Sequence, residues 1–143
     1  MKIKSKRLLL DTCVIIDLMT DPDSLSQEVY DIINDPEYKF FLSSESMREL
    51  VVSFNNKNFL PKFWKTSEEM LRSIMEEMEI GVLPVTEQII LTYSRLRLNT
   101  ARDHKDPSDH VIISHAITEH ITLLSSDDKF PFYRTQGLEL IEY

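Results

Sequence analysis

The chain has 143 residues, Lys+Arg 16 against Asp+Glu 24, a formal net charge of -8 and two glycines, Gly81 and Gly137. Two isolated glycines provide no glycine-rich loop to cradle phosphate, which removes the P-loop and the dinucleotide fingerprint. Cys13 is alone, so no disulfide framework or cysteine-rich zinc site is available, and the acidic balance speaks against sequence-independent binding of long duplex DNA. One domain over residues 1–143 is expected, burying roughly 70% of its unfolded surface. The apolar run after the basic start is broken by Asp11 and again by Asp17. Neither a signal peptide nor a membrane span is expected, and the chain reads as cytoplasmic.

In chain order, Leu8 to Leu10 is a short apolar run without alternation, as in a strand buried on both faces of a parallel sheet. A short helix follows through Met19. Ser24 is expected to cap a helix from Leu25 to about Asn34, ended by Asp35-Pro36. Lys39 to Leu42 is a second strand, followed by a helix to about Phe54 with Met47, Leu50, Val51 and Phe54 on one stripe. Ser67 is expected to cap the next helix, with Met70, Leu71, Ile74, Met75 and Met78 as its apolar face and Gly81 as its stop. Val82 to Pro84 reads as a brief strand, and Thr86 begins a helix through about Asn99. Asp106-Pro107 opens a helix reaching about His120, and Thr122 to Leu124 and Leu138 to Ile141 are the last strands. Strands alternating with helices predict an α/β domain with a mostly parallel sheet and right-handed crossovers.

Two acids recur at one kind of place. Asp11 ends the first strand, and Asp127 ends the strand of Thr122 to Leu124. Ligands in open α/β sheets bind outside the carboxyl ends of strands, so neighbouring strands would bring these carboxylates together. Asp106 and Asp109 begin the preceding helix and join them if the loop before it lies at the same edge. Clustered carboxylates repel and raise each other's pKa unless a cation offsets them, and oxygen ligands favour Mg²⁺ or Mn²⁺ over zinc. Each position also has a plainer reading. Asp11 and Asp127-Asp128 suit turns, and Asp106-Pro107-Ser108-Asp109 suits a helix start with Asp106 as cap. Capping and metal binding are compatible.

Other groupings carry less. His110, His115 and His120 rotate by about 140° between successive members on a helix, so they share no face for zinc. Cys13 reads as core, and the methionine face as core or dimer contact. Three basic groups stand out: Lys2, Lys4, Lys6 and Arg7; Lys57, Lys62 and Lys65, interleaved with Phe59, Phe63 and Trp64; and Arg95, Arg97, Arg102 and Lys105. A basic loop with aromatics binds single-stranded nucleic acid by phosphate contact and stacking; the alternative is a solvated face over buried rings.

Four segments in order resemble one family. Leu8-Leu9-Leu10-Asp11-Thr12 resembles the opening of PIN-domain ribonucleases, including the toxins of VapBC toxin–antitoxin systems. Ser43 to Leu50 resembles the helix carrying their second acid. His104-Lys105-Asp106-Pro107-Ser108-Asp109 resembles a His-Arg-Asp-Pro-Phe-Asp block of one branch, and Leu124-Ser125-Ser126-Asp127 a strand ending Thr-x-Asp. Carried over, the resemblance implies a PIN-like α/β three-layer sandwich with a mostly parallel central sheet and a pocket of catalytic and metal-ligating acids Asp11, Glu49, Asp109 and Asp127. Asp106 is then a further acid, and Thr12 and Ser125 are supporting hydroxyls. Glu49 comes from the resemblance alone. It lies roughly 160° from the apolar stripe and beside Glu45, so the residues themselves read as a solvated pair. Ser108 stands where the family usually has Phe, His110 where Arg is common and Ser125 where Thr is common.

The implied function is a Mg²⁺- or Mn²⁺-dependent endoribonuclease that cuts single-stranded RNA and leaves a 5′-phosphate. Arg95, Arg97, Arg102 and Lys105 are the candidate RNA contacts. The resemblance also implies a homodimer and a small antitoxin partner. Two alternatives stand beside it. One is a PIN-like module that binds RNA or protein without cutting. The other is a phosphoryl-transfer domain with Asp11 as acceptor, but Cys13 occupies the position where a phosphatase of that kind would carry a second Asp.

Overall fold

The computed structural model describes residues 6–56, 64–98 and 102–143. Its strands are β1 (Arg7–Leu10), β2 (Lys39–Ser43), β3 (Gly81–Leu83), β4 (Thr122–Ser125) and β5 (Leu140–Glu142). They form one sheet in the order β3-β2-β1-β4-β5, and every pairing is parallel. The α-helices are α1 (Thr12–Thr20), α2 (Gln27–Ile33), α3 (Ser44–Asn55), α4 (Ser67–Glu76), α5 (Glu87–Arg95) and α6 (Pro107–Glu119). Short 3₁₀ turns occupy Pro22–Ser24 and Phe130–Gln136.

The unbroken apolar strands follow from two-sided burial. Leu8 and Leu10 face one core with Val14, Ile15, Leu42, Leu50, Met70 and Ile74, whereas Leu9 faces a second core with Ile112, Ile113, Leu123, Phe130 and Tyr133. Helices therefore cover both faces, giving the three-layer sandwich that the resemblance implies. From β1 the chain builds outward through β2 and β3, then returns to add β4 and β5 on β1's other side. The crevice between β1 and β4 is thus the point where the strand order reverses, and it opens at the carboxyl ends of both strands.

Several boundaries differ from the sequence expectation. Ser26, not Ser24, caps α2, accepting from Val29 N at 3.3 Å, because Pro22–Ser24 closes its own 3₁₀ turn. Thr66 caps α4 in place of Ser67, which is the first helical residue. Gly81 does not stop α4; it opens β3, where an added Cβ would come within 2.9 Å of Phe41 Cδ1. The last strand begins at Leu140, not Leu138, because Gly137 at φ 103 ends a 3₁₀ turn first. Of the methionine face, Met70 is core while Met75 is 37% exposed. The helix expected to reach about Asn99 ends at Arg95, where Leu96 turns extended, and Lys2, Lys4, Lys57, Phe59, Lys62 and Phe63 lie outside the described residues. No helix among the described residues is long and apolar enough to cross a membrane.

Candidate active site

Asp11 leaves the end of β1 and caps α1. Its Oδ1 accepts from Thr12 N at 2.8 Å, and its Oδ2 accepts from Ser125 Oγ at 2.7 Å and Cys13 Sγ at 3.2 Å. It is only 4% exposed. Burial pushes its carboxyl up to about 6, against the lowering effect of the three donors. Cys13 is thus half-buried beside the site rather than wholly core, and burial and the Asp11 charge push its thiol up to about 12.

Ser125, the last residue of β4, links the two strand-end acids. Its hydroxyl donates to Asp11 and accepts from Asp127 N at 3.0 Å. Asp127 lies two residues past the strand, where its Oδ1 also accepts from Lys129 N at 2.9 Å. The turn reading and the site reading of Asp127 therefore both hold geometrically.

Glu49 reaches the crevice from α3. Thr12 Oγ1 donates to its Oε1 at 2.6 Å and lies 2.9 Å from Ser46 Oγ. Burial raises the Glu49 carboxyl above its ordinary value, and the nearby charges of Asp106 and Glu45 add to the rise. The solvated pair expected from Glu45 and Glu49 is corrected: both are partly buried, and they part company in their partners. Glu45 is clamped by Arg48 at 2.5 Å and by Ser108 Oγ at 2.6 Å. Burial works against its charge, but these bonds hold it below the usual carboxylate range. Ser108 thereby ties the start of α6 to α3 through a hydrogen bond.

Asp106 caps α6, accepting from Ser108 N at 2.9 Å and Asp109 N at 3.4 Å. Asp109, one turn in, points into the cluster. Burial comes first, and the charges of Asp11, Asp106, Asp127 and Glu49 follow, together pushing its carboxyl up to about 8. One residue of this site was not singled out from the sequence as a functional group: His104, whose Nε2 lies 3.1 Å from Asp109 Oδ2. Its only sequence signal is its place at the head of the His104-to-Asp109 block.

Two sets of potential ligand atoms lie within 4.8 Å of one another: Glu49, Asp106 and Asp109, and His104, Asp109 and Asp127. Asp109 belongs to both. Among these donors the imidazole nitrogen is already engaged with Asp109, so the donors open to a cation are carboxylate oxygens. That set, with its unrelieved mutual repulsion, fits a hard divalent ion such as Mg²⁺ or Mn²⁺.

The PIN domain family matches this chain over residues 8–138. The chain belongs to the PIN domain family. Similar folds include VapBC2 from Rickettsia felis bound to a DNA fragment from its promoter, with TM-score 0.69, 20% identity and 95% and 98% of the two chains covered. VapBC-1 from nontypeable Haemophilus influenzae aligns with TM-score 0.68 and 23% identity over 95% and 97%. VapBC-5 from Mycobacterium tuberculosis aligns with TM-score 0.62 and 18% identity over 97% and 100%. At these identities the likeness is one of fold. No curated protein matches the chain by sequence.

Outside the acid cluster of this PIN domain, Arg95, Arg97, Arg102 and Lys105 are all exposed. Arg97 is braced through its backbone by Gln136, at 2.9 Å to N and 3.1 Å to O, and Lys105 adjoins the α6 cap. Of the amino-terminal cations, Lys6 and Arg7 are described and sit at the other end of the sheet. Lys6 pairs with Glu37 at 3.3 Å, and Arg7 lies over the Phe41 ring. The helix-borne histidines do not converge: His110 meets Tyr133, His115 meets Ser43, and His120 is exposed at the end of α6.

Proposed function

We propose that the chain is a single-domain, cytoplasmic, metal-dependent endoribonuclease that cuts single-stranded RNA, and that it is the toxin of a toxin–antitoxin pair. Asp11, Glu49, Asp109 and Asp127 would hold Mg²⁺ or Mn²⁺, with Asp106 as a further acid. When bound, such an ion supplies charge neutralisation at a phosphate and acidification of water.

The chain's own part is to keep the acids fixed and ready. Ser125 and Thr12 Nα–H hold both oxygens of Asp11, and the Thr12 hydroxyl holds Glu49. Ser108 of α6 bonds Glu45 of α3, which Arg48 holds in place, and this contact braces the two helices bearing Glu49 and Asp109. Preorganised charge of this kind needs no rearrangement when the phosphate charge develops. Arg95, Arg97, Arg102 and Lys105 would contact RNA phosphates, which an acidic protein needs to offset its own net charge of -8. The resemblance supplies the partners of this reading, a small antitoxin that blocks the cleft and a second copy in a homodimer. The similar folds that occur as VapBC complexes support the antitoxin.

The observation that carries the reading is the convergence of acids on Asp109, whose ligand atoms lie within 4.8 Å of those of Glu49 and Asp106 on one side and of Asp127 on the other. The test is incubation of a labelled RNA pool with purified protein, freed of any antitoxin, and Mn²⁺. Wild type should cut and leave 5′-phosphate ends, and Asp11→Asn should bind RNA without cutting. Binding without cleavage by wild type would favour the non-catalytic module.

A further inference from the structure

Asp109 has every electrostatic reason to leave the pocket. It faces Asp11, Asp106, Asp127 and Glu49, and its side chain stands in the first turn of a helix next to solvent. Among the described residues, a single hydrogen bond opposes that swing: the one between Oδ2 and His104 Nε2, at 3.1 Å.

His104 is itself fixed. The residue is 4% exposed, and its Nδ1 lies 2.9 Å from the hydroxyl of Tyr133, which is fully buried. That hydroxyl donates to the Leu98 carbonyl at 3.1 Å and lies 3.2 Å from His110 Nε2. Both ring nitrogens of His104 are thus hydrogen-bonded, Nδ1 to the Tyr133 hydroxyl and Nε2 to Asp109. Edge-on packing closes the remaining freedom, with ring centroids 4.5 Å from His110 and 5.4 Å from Tyr133. The ring cannot turn without breaking this buried network. Its Nε2···Oδ2 contact holds a proton whichever atom carries it, so Oδ2 is committed to the ring. Oδ1 accepts no hydrogen bond from the described residues and is the oxygen left for a cation.

We propose that His104 is a positioning residue for Asp109, anchored from outside the acid cluster by Tyr133, and that this pair of side chains sets the affinity of the site for its divalent ion. The inference rests on the metal-site reading above. It assigns a role to two residues, one in a loop and one in a 3₁₀ turn.

The test is Mn²⁺ titration calorimetry on the full chain, with a thermal melt of each variant to show that it folds. His104→Ala should weaken Mn²⁺ binding about 10–100-fold, the size usual for loss of an outer-shell partner. Tyr133→Phe should weaken it less, by about threefold to tenfold, because the ring stays packed but loses its anchor. His104→Gln keeps an N–H donor at similar reach and should bind within about threefold of wild type. If His104→Ala does not fold, the Gln and Phe variants decide. Wild-type affinity in His104→Ala, or His104→Gln as weak as Ala, would overturn the inference. If Asp109→Asn loses Mn²⁺ while His104→Ala keeps it, the metal-site reading stands and the positioning role falls. If wild type binds no Mn²⁺, both fall.

Discussion

Two helices meet at the β1–β4 crevice, and both begin on an aspartate cap, yet their acids fare differently. At the start of α1, Asp11 is nearly buried, but three donors converge on it, and its carboxyl stops at about 6. At the start of α6, the capping work falls to Asp106, and Asp109 is left one turn inside with one ring nitrogen for a partner. Asp109 is the more exposed of the two, at 17% of its side chain, and still rises to about 8. Depth of burial does not order these two carboxyls. The supply of donors against the number of facing charges does. The α1 end is therefore a settled anchor, and the α6 end holds the unrelieved charge.

The largest expected effect treats the two ends alike. If both acids serve one ion, Asp11→Asn and Asp109→Asn should each reduce RNA cleavage by about 10²–10³-fold or more, the scale on which removing preorganised charge acts. A gel-based assay that found one variant near wild type would confine the site to the other end.

Next comes competition between protons and metal. In the metal-free protein Asp109 keeps a proton until about pH 8 and Asp11 until about 6. A cation must displace whatever is bound. Mn²⁺ affinity should therefore rise with pH between 6 and 8 by up to about tenfold per unit, the slope for one released proton. Calorimetry in buffers of different ionisation enthalpy counts that proton. A flat profile would mean that Asp109 is already ionised.

Stability separates the two ends. Both folded-state values lie above those of the unfolded chain, so the folded protein holds protons that the unfolded chain has released. Stability of the metal-free protein should fall as pH rises from about 4, through about 6 on account of Asp11 and on through about 8 on account of Asp109. Asp109→Asn should remove the upper part of that decline and add roughly 1–2 kcal/mol at pH 8, or about 3–8 °C in Tm. Asp11→Asn should gain little, within about 1 kcal/mol, because its amide must share donors that now point at it. Thermal melts across pH would contradict the comparison if Asp11→Asn were the stabilised variant.

The smallest effect tests the donors themselves. Ser125→Ala removes a bond that lowers the Asp11 carboxyl and a partner of Asp127 N. The lower step of the pH–stability profile should move to higher pH, with a loss of about 1 kcal/mol.

How much of this was legible in the sequence depends on the range of the interactions. Strands without alternation, proline-led and aspartate-led helix starts, and acids after strands are local signals, and they put Asp11 and Asp127 at one edge. The caps of α2 and α4 slipped by one or two residues because Ser24 and Ser26, or Thr66 and Ser67, are equivalent until a neighbouring turn decides. Glu45 and Glu49 sit about 40° apart on one helix, and only their partners, Arg48 against Thr12, tell them apart. The resemblance chose Glu49 where the residues could not. His104 and Tyr133 are separated by 29 positions and join only through the fold, so no local pattern pointed to their contact.

The central claim is that the acids at the β1–β4 crevice hold a divalent ion and that this ion relieves Asp109. The most direct measurement is an anomalous-difference map from crystals grown with Mn²⁺. The account predicts a peak bounded by Asp109 and Glu49 on the helix side and by Asp11 and Asp127 on the strand side, with an Asp109 oxygen among its ligands. A map with no peak there, or with Mn²⁺ bound and Asp109 turned away from it, would contradict it.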